Sequence, residues 1–398
     1  MIIKNIRVYK EDRQFHKGEI AISSGVFTER LEEGGEEILD GEGCYAIPGL
    51  IDIHLHGCMG YDFCDGTCEA IRKIAEYEAE VGVTAIAPAT MTLPAEELEQ
   101  ILSTAAAYKR TQQDVREADL VGINMEGPFI SRAKKGAQDE THILPCSIEL
   151  GKRFVKASAG LVKYMGIAPE ESEDAAAFIR EMKKDVTVAL AHTNADYQKA
   201  MEAMEAGVSH AVHLYNAMPP YTHREPGVIG AVSDTPDAYA ELICDGVHVH
   251  GAAVRATFKM LGAERIILIS DSMRATGMGD GTYTLGGLEV EVKGNQARLA
   301  ADQALAGSVT NLMGCMRNAV QNMGIPLEEA VGCVTCNPAK SLGIYESYGS
   351  ISPGKKGNVV LLDEGLQVRA VIKDGVIRVN RLTGAGTEED PGKRGRNV

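Results

Sequence analysis

The chain has 398 residues, of which 44% are hydrophobic and 24% are charged, an ordinary composition for a globular enzyme that can bury a large core. Its formal net charge of −16, with no basic block, argues against non-specific binding to nucleic acid or to an anionic membrane, although a small anionic substrate needs only a local cationic pocket. The absence of a long apolar run and of a signal-peptide pattern, together with an odd number of cysteines, nine, predicts thiols in a reducing cytoplasm.

Short strands separated by glycine turns are predicted at both ends of the chain. The first 45 residues and residues 350–380 share this pattern of short strands and turns, and neither stretch has enough apolar residues for a core of its own. We therefore expect one small β-sandwich domain built from residues 1–46 and 350–382. The last stretch, 383–398, is glycine-rich and charged, and its composition predicts a disordered tail.

The middle of the chain, residues 47–349, alternates apolar strands with amphipathic helices. Eight strands are predicted, at 46–56, 83–89, 120–126, 161–167, 186–192, 208–213, 239–245 and 265–271. Helices are predicted between them at 68–82, 94–110, 174–184, 196–207 and 251–262. Eight such units favour an α/β fold, a (β/α)8 TIM-like barrel, with catalytic groups at the carboxyl ends of the strands. The alternative, a doubly wound open sheet, predicts a glycine-rich phosphate loop after the first strand, where the chain instead has His54-Leu55-His56-Gly57.

The first barrel strand carries His54 and His56. In a strand, residues two apart face the same side, so both imidazoles would project together as half of a site for a divalent cation. A His-x-His pair in a buried strand can also be a hydrogen-bonded core pair. The pair therefore indicates a metal site without establishing one.

Other ionisable residues follow the later strands. Strand 3 ends in Glu126, strand 5 in His192, strand 6 in His213 and strand 8 in Asp271, while His248 follows strand 7 closely. Taken singly, each has an ordinary interpretation: a histidine bonded to backbone, Glu126 paired with Arg132 or Lys134, or Asp271 capping a turn. Charged groups at buried strand ends need a partner or a cation, so their convergence on one rim predicts a catalytic metal centre.

The remaining candidates are interpreted as structural. His210 lies three residues before His213 and should face another way. Cys333 and Cys336 form a C-x-x-C pair without a second pair to complete a zinc ribbon, and Cys58, Cys64 and Cys68 follow no ligand spacing.

With these residues in place, the chain resembles the amidohydrolase superfamily and, within it, the family of N-acetylglucosamine-6-phosphate deacetylases. The resemblance covers nearly the whole chain. It is carried by the stretches 48–57, 125–129 (Met-Glu-Gly-Pro-Phe), 191–195, 213–218 (His-Leu-Tyr-Asn-Ala-Met), 224–227, 244–248 and 270–273.

The resemblance implies a divalent metal, one or two ions per subunit. Glu126, His192 and His213 match the ligands shared across the family, and His54 and His56 match a second position that some members have lost. Zinc or iron suits imidazole and carboxylate ligands better than calcium or magnesium does.

The same resemblance implies the chemistry. Metal-activated water would attack the acetyl amide of N-acetyl-D-glucosamine 6-phosphate, giving D-glucosamine 6-phosphate and acetate in amino-sugar catabolism. Asp271 would act as general base and then as general acid, and His248 would donate to the acetyl oxygen.

Substrate contacts are implied by further matching positions. Asn216 and Ala217 would contact the phosphate, with Arg224 reaching in from the neighbouring subunit of a homodimer. Arg224 could instead pair at the surface with Glu225 or Asp234. The other positions expected to line the sugar are Ala137, Gln138, Asp245, Gly246, Val247, His248, Leu305, Ala306 and Gly307. Gln138 departs from relatives that have histidine there, but its amide can still bind a sugar hydroxyl.

Two other functions stay open at this point. The substrate could be another N-acetyl-hexosamine phosphate, such as N-acetylgalactosamine 6-phosphate. A catalytically silent barrel serving as a scaffold would be expected to have lost ligands, whereas this chain keeps all of the predicted ones.

Overall fold

Strands from both ends of the chain pair in one sheet. The computed structural model describes residues 1–29 and 37–383, so the predicted tail lies outside the described residues apart from Thr383. The sheet contains Ile2–Tyr9, Phe15–Ser23, Val26–Thr28, Ile38–Asp40, Tyr45–Pro48, Val359–Leu362, Val368–Lys373 and Val376–Asn380. Val359–Leu362 lies antiparallel to Tyr45–Pro48, which joins the two ends of the chain. Buried aliphatic residues of both ends, Ile3 and Val359 among them, form a separate core.

Parallel strands form the barrel. In chain order they are Leu50–Asp52, Val83–Ile86 with Ala89–Thr90, Asp119–Leu120 with Ile123–Met125, Val162–Ile167, Thr187–Leu190, His210–Ala211, Tyr239–Ile243 and Ile266–Ile269. Each pairs in parallel with the next. The ring closes through backbone bonds from Asp271 N to His54 O (2.9 Å) and from His56 N to Ser272 O (2.7 Å). The predicted TIM-like barrel with a separate sheet domain is confirmed, and the exact domain boundaries stay a prediction.

Helices cover the outside of the barrel. The α-helices are Cys68–Glu80, Ala95–Thr111, Ile148–Ala157, Ala175–Met182, Tyr197–Ala206, Gly227–Ser233, Gly251–Leu261, Leu312–Gln321, Leu327–Val334 and Cys336–Ser341. Short 3-10 turns occur at Phe63–Asp65, Arg132–Lys134, Glu140–His142, Pro169–Glu171 and Ala263–Arg265. Side-chain caps mark several starts, such as Thr67 accepting from Ala70 N and Asp196 from Lys199 N. The five predicted helices end within two residues of the observed bounds.

The prediction of a single strand over 46–56 is wrong. Tyr45–Pro48 belongs to the end sheet, Leu50–Asp52 belongs to the barrel, and both histidines follow the strand. Gly49 makes this change of sheet possible, because a Cβ there would lie 2.1 Å from Thr84 Oγ1. The two imidazoles therefore owe their common direction to the loop after the strand and not to strand alternation.

Two small antiparallel sheets are formed by loops that follow barrel strands. Gly281–Leu285, Leu288–Lys293 and Gln296–Leu299 form a three-stranded sheet, and Gly57–Cys58 pairs with Tyr61–Asp62. The larger sheet packs its apolar face, including Leu285 and Val290, on Met273 and Ala306. Because Met273 closely follows strand Ile266–Ile269, this sheet packs next to the end of the last barrel strand. Across residues 1–29 and 37–383, the longest apolar helices fall short of what a bilayer crossing requires.

Candidate metal centre

Glu126 lies at the centre of two groups of metal-binding side chains. With His192 and His213 it forms one group, and with His54 and His56 it forms the other, and the donor atoms in each group lie within 4.8 Å of one another. All five side chains are buried. The structure thus brings together the five ligands that the sequence predicted.

The spacing in the first group fits one cation. His192 Nε2 and His213 Nε2 lie 3.0 and 2.8 Å from Glu126 Oε1 and 3.1 Å from each other. Ligands about 2.0–2.1 Å from a tetrahedral zinc ion are separated by little more than this. A cation between these three atoms would accept the lone pairs of both imidazole nitrogens. Two nitrogens that each present a lone pair cannot bond to each other.

The second group also fits a cation. His54 Nε2 lies 3.4 Å from Glu126 Oε1, and His56 Nε2 lies 3.4 Å from Glu126 Oε2. Asp271 Oδ1 lies 3.3 Å from His56 Nε2 and 3.7 Å from His54 Nε2. His54 Nε2 is buried without a hydrogen bond to any described residue, which is the state of a ligand atom prepared for a metal.

The electrostatics favour an ionised Glu126. Burial by itself raises the pKa of this carboxyl, but His192, His213 and His54 outweigh burial and hold its pKa well below the usual range. Burial likewise lowers the pKa of His54, but Glu241 and Glu126 raise it well above its ordinary value. Protons therefore compete with a cation for the His54 nitrogen, so metal affinity should rise with pH.

Glu241 is a part of the site that the sequence prediction missed. It is fully buried in strand Tyr239–Ile243, and its carboxylate accepts from His54 Nδ1 and from His210 Nε2, both at 2.9 Å. Burial raises the pKa of Glu241, but His54 and His210 outweigh it and lower the pKa to about 2. The signal in the sequence was a lone acidic residue inside an otherwise apolar strand.

Gln138 contacts Glu126, the carboxylate shared by both groups of candidate ligands. Its Nε2 donates to Glu126 Oε2 at 2.6 Å, and its Oε1 accepts from Thr92 N at 2.6 Å. In this arrangement the Gln138 amide orients Glu126, while its side chain also lines the cavity. Its expected bond to a sugar hydroxyl therefore stays a prediction.

The backbone at the strand ends is strained. His192, His213 and Asp271 have φ values of 42°, 27° and 49°, in the left-handed region that side chains other than glycine rarely adopt. Such strain is kept only where the surroundings enforce it, and it is common at active sites. At Asp271, the supporting contact is Ser308 N, which donates to the Asp271 carbonyl at 2.7 Å.

A cavity of about 220 Å³ opens above the ligands. Asp271, His248 and four of the five predicted ligands line it. His248 Nδ1 donates to Asp245 Oδ2 at 2.7 Å, which leaves Nε2 free to serve the cavity. Burial lowers the pKa of His248, but Asp245 outweighs burial and raises it. The predicted residues that line the cavity are His56, Glu126, Ala137, Gln138, His192, His213, Asn216, Ala217, His248, Asp271, Leu305 and Gly307.

Other predicted contacts lie outside the cavity lining. Ala306 is buried in the core beneath the three-stranded sheet, and Asp245 supports His248, with Gly246 and Val247 in the same turn. Arg224 is exposed, and its guanidinium lies 2.6 Å from His223 Nε2 instead of pairing with Glu225 or Asp234. Within one chain, then, Arg224 does not line the cavity.

Met91, Gly136 and Leu285 line the cavity without having been predicted. Leu285 precedes Gly286-Gly287, a dipeptide between two alternating stretches that is typical of a β-hairpin, so a signal for this element was present. Met91 follows the short strand Ala89–Thr90, and no sequence signal identified it.

Comparison with known proteins gives consistent matches. The amidohydrolase family profile matches residues 45–378. An N-acetylglucosamine-6-phosphate deacetylase of Bacillus subtilis (strain 168) is 35% identical over 95% of this chain and 96% of that protein. An N-acetylgalactosamine-6-phosphate deacetylase of Escherichia coli O157:H7 is 34% identical over 93% of this chain and 97% of that protein.

Solved structures show the same relationship. A variant of the Mycobacterium smegmatis N-acetyl-D-glucosamine-6-phosphate deacetylase, in complex with N-acetyl-D-glucosamine-6-phosphate, superimposes with a TM-score of 0.88 at 30% identity, over 96% of this chain and 99% of that one. The Thermotoga maritima N-acetylglucosamine-6-phosphate deacetylase gives a TM-score of 0.85 at 31% identity, over 96% of this chain and 100% of that one.

Proposed function

The chain belongs to the amidohydrolase family, and on that premise we propose that it hydrolyses N-acetyl-D-glucosamine 6-phosphate to D-glucosamine 6-phosphate and acetate. The observation that carries the proposal is Glu126 with four imidazoles around it, beside a cavity that Asp271 and His248 also line. The same donor set argues against the scaffold alternative, since a silent barrel has no need of buried ionisable groups at this cost in desolvation.

The donor set suits zinc or iron. Glu126, His192 and His213 would hold one ion, and His54 and His56, with Glu126 between the two positions, would hold a second. Imidazole and carboxylate ligands favour these metals over calcium and magnesium. A divalent ion bound there would polarise the amide and would lower the pKa of a bound water from about 16 towards about 7.

Asp271 would move the proton of the attacking water. Burial raises the pKa of this carboxyl, but His56 and His54 outweigh it, so Asp271 is ionised and ready to accept at neutral pH. After accepting the proton it would return it to the departing amine, as general base and then general acid.

His248 would stabilise the charge that develops on the acetyl oxygen. Since its Nδ1 donates to Asp245, donation from Nε2 requires the doubly protonated ring, which the raised pKa favours. The two groups thus divide the proton transfer and the oxyanion stabilisation between them.

The phosphate end of the substrate would lie near Asn216 and Ala217, which line the cavity. Arg224 is exposed on the segment that follows them, so it would complete the phosphate site of a second copy in a homodimer. Arg224→Ala should raise KM for the phosphorylated substrate while leaving kcat near normal. Light scattering of the purified protein would test the dimer separately.

Two observations favour further parts of the proposal. The relatives named for the glucosamine and galactosamine epimers are almost equally similar to this chain, so N-acetylgalactosamine 6-phosphate is a second candidate substrate.

All nine cysteines are free thiols, which supports a cytoplasmic location.

An acetate-release assay tests the function. Purified protein should release acetate from N-acetyl-D-glucosamine 6-phosphate, lose this activity on chelation, and regain it on addition of Zn²⁺ or Fe²⁺. Parallel assays with the galactosamine epimer and with N-acetylglucosamine lacking phosphate would establish the epimer and the need for phosphate. Equal activity in the chelated protein would contradict the metal-dependent reaction.

A further inference from the structure

We propose that Glu241 is a positioning residue that secures the two-ion state of the site by fixing His54 as a metal ligand. The inference rests on the metal centre of the proposed function and adds a residue that the ligand set does not contain. It follows from the hydrogen bonds of one fully buried carboxylate.

Glu241 joins groups from three other barrel strands or the loops that follow them. Its Oε2 accepts from His54 Nδ1 at 2.9 Å and from the backbone N–H of His213 at 3.2 Å. Its Oε1 accepts from His210 Nε2 at 2.9 Å and from Asn124 Nδ2 at 3.4 Å. A carboxylate with this many donors has one available orientation.

The bond to His54 determines which ring nitrogen can bind a metal. An ionised carboxylate only accepts hydrogen bonds, so His54 Nδ1 must carry a hydrogen, and Nε2 is the nitrogen whose lone pair becomes available when the ring is neutral. That lone pair faces Glu126 Oε1 at 3.4 Å, on the side of the second metal position. In the opposite tautomer an N–H would point at the cation and exclude it.

The support given by Glu241 is unequal between the two metal positions. At the first position, the ring of His192 is fixed by the carbonyl of Lys134, to which its Nδ1 donates at 2.9 Å, and Glu241 contacts only the backbone of His213. At the second position Glu241 holds the ring of His54 itself. Loss of the carboxylate should therefore weaken the second position first.

His210 has a role in this arrangement. It is fully buried, its Nε2 anchors Glu241 from the side opposite His54, and its ring lies 4.8 Å from that of Tyr164. The sequence prediction treated His210 as structural, and its placement behind Glu241 explains why a histidine stands there. It supports the ligands without being one.

Metal binding by the apoprotein tests the proposal without an activity assay. Metal-free protein would be titrated with Co²⁺ and followed by visible absorption, and bound metal would be measured after equilibrium dialysis. The wild type should bind two equivalents. In Glu241→Gln, one equivalent should bind about 10–100-fold more weakly and the other close to normally, the loss expected when a supporting partner of a ligand is removed.

Matched variants identify the affected position. His54→Asn should weaken the same equivalent, and adding Glu241→Gln to it should have little further effect, because the ligand that Glu241 supports is already gone. Glu117→Gln removes another buried, hydrogen-bonded carboxylate, which contacts Tyr108 and not the metal site, and should bind as the wild type does.

The outcomes separate the proposal from its premise. A wild type that binds no metal contradicts the metal centre itself. A folded Glu241→Gln protein that binds both equivalents with wild-type affinity, or loses both equally, overturns the role of Glu241. If that variant does not fold, Glu241→Asp keeps the charge on a shorter side chain, and the same asymmetric weakening, smaller in size, is required of it.

Discussion

Asp271 combines a strained backbone with a buried, ionised carboxyl at the end of the last barrel strand. Its carbonyl accepts from Ser308, and Gly307 next to it has φ 65°, where a Cβ would lie 3.0 Å from the Asp271 carbonyl oxygen. The Asp271 side chain extends towards His56, with Oδ1 3.3 Å from His56 Nε2. A backbone held in this way suits the proposed role of Asp271, in which one group accepts a proton and then returns it.

Asp271→Asn should lower kcat by about 10²–10⁴-fold, the usual contribution of a general base, because the amide cannot accept the proton. Metal content should stay near that of the wild type, since Glu126 and the four histidines are unchanged. Steady-state kinetics and metal analysis on the same preparation would check both. Activity close to normal would remove Asp271 from the mechanism.

Asp245→Asn should move the alkaline limit of activity to lower pH. Asp245 raises the pKa of His248, so the protonated ring persists to higher pH in the wild type and is lost as pH rises through that pKa. An asparagine oxygen can still accept from Nδ1 but lacks the charge, so the ring loses its proton earlier. The pH profile of kcat would show the shift; an unchanged alkaline limb would mean that His248 does not act as an acid.

At the scale of elements, the helix Cys68–Glu80 shows an unusual feature. Its buried face consists of small and aliphatic residues together with Glu78, which is fully buried and whose two carboxylate oxygens have no hydrogen-bond partner among the described residues. Burial, and to a smaller extent the charge of Asp52, raise the pKa of Glu78 well above its ordinary value. The folded protein therefore holds a proton there that the unfolded chain releases.

Glu78→Leu should stabilise the protein by about 1–3 kcal/mol at pH 8, the cost of a buried polar group without a partner. Because the pKa is raised in the folded state, wild-type stability from this group falls as pH rises above the ordinary carboxyl range. The gain should therefore be smaller at pH 5 than at pH 8. Urea unfolding at the two pH values would measure it, and a variant less stable than the wild type at pH 8 would indicate a missing partner for Glu78.

At the scale of the whole molecule, a buried ion-pair cluster joins the barrel to the end sheet. Asp119, in a barrel strand, lies 2.9 Å from Lys373 Nζ and 2.9 Å from Lys356 Nζ, and Tyr348 also donates to it. Lys373 is almost fully buried. Burial raises the pKa of Asp119, but the two lysines outweigh it and lower the pKa. These ion pairs thereby connect the end sheet to the barrel strand that contains Asp119.

Lys373→Met should destabilise the protein by about 3 kcal/mol, because it leaves Asp119 buried with only part of its compensation. Adding Asp119→Leu should recover much of the loss, since no uncompensated charge then remains. Since the folded-state pKa of Asp119 is lowered, its contribution is present above the ordinary carboxyl range and is lost as pH falls through that pKa. Chemical unfolding of the wild type and of the single and double variants, at neutral and at acidic pH, would measure the loss, the recovery and the pH dependence. A single variant as stable as the wild type would contradict the role of the pair.

The amino-acid sequence by itself predicted the barrel, five of its helices and the five candidate metal ligands that the fold brings together. Periodic apolar strands and ionisable residues at their ends are local signals that a single sequence contains. In a closed barrel of parallel strands, the carboxyl ends of all strands lie at the same face, so these residues come together. The division of the segment 46–56 at Gly49 was not predictable, because it depends on contact with Thr84, a residue from the next strand.

Only the tertiary structure decided the surroundings of the ligands. The sequence analysis assigned no role to Glu241 and predicted only a sugar contact for Gln138. The fold shows the Glu241 carboxylate against His54, and the Gln138 amide against Glu126 as well as along the cavity. Hydrogen bonds between residues more than one hundred positions apart, such as His54 and Glu241, leave no periodic trace in a single sequence. The type of a side chain shows whether it can bind a metal or donate a hydrogen bond. Which partner it contacts depends on which strands lie next to each other in the closed barrel.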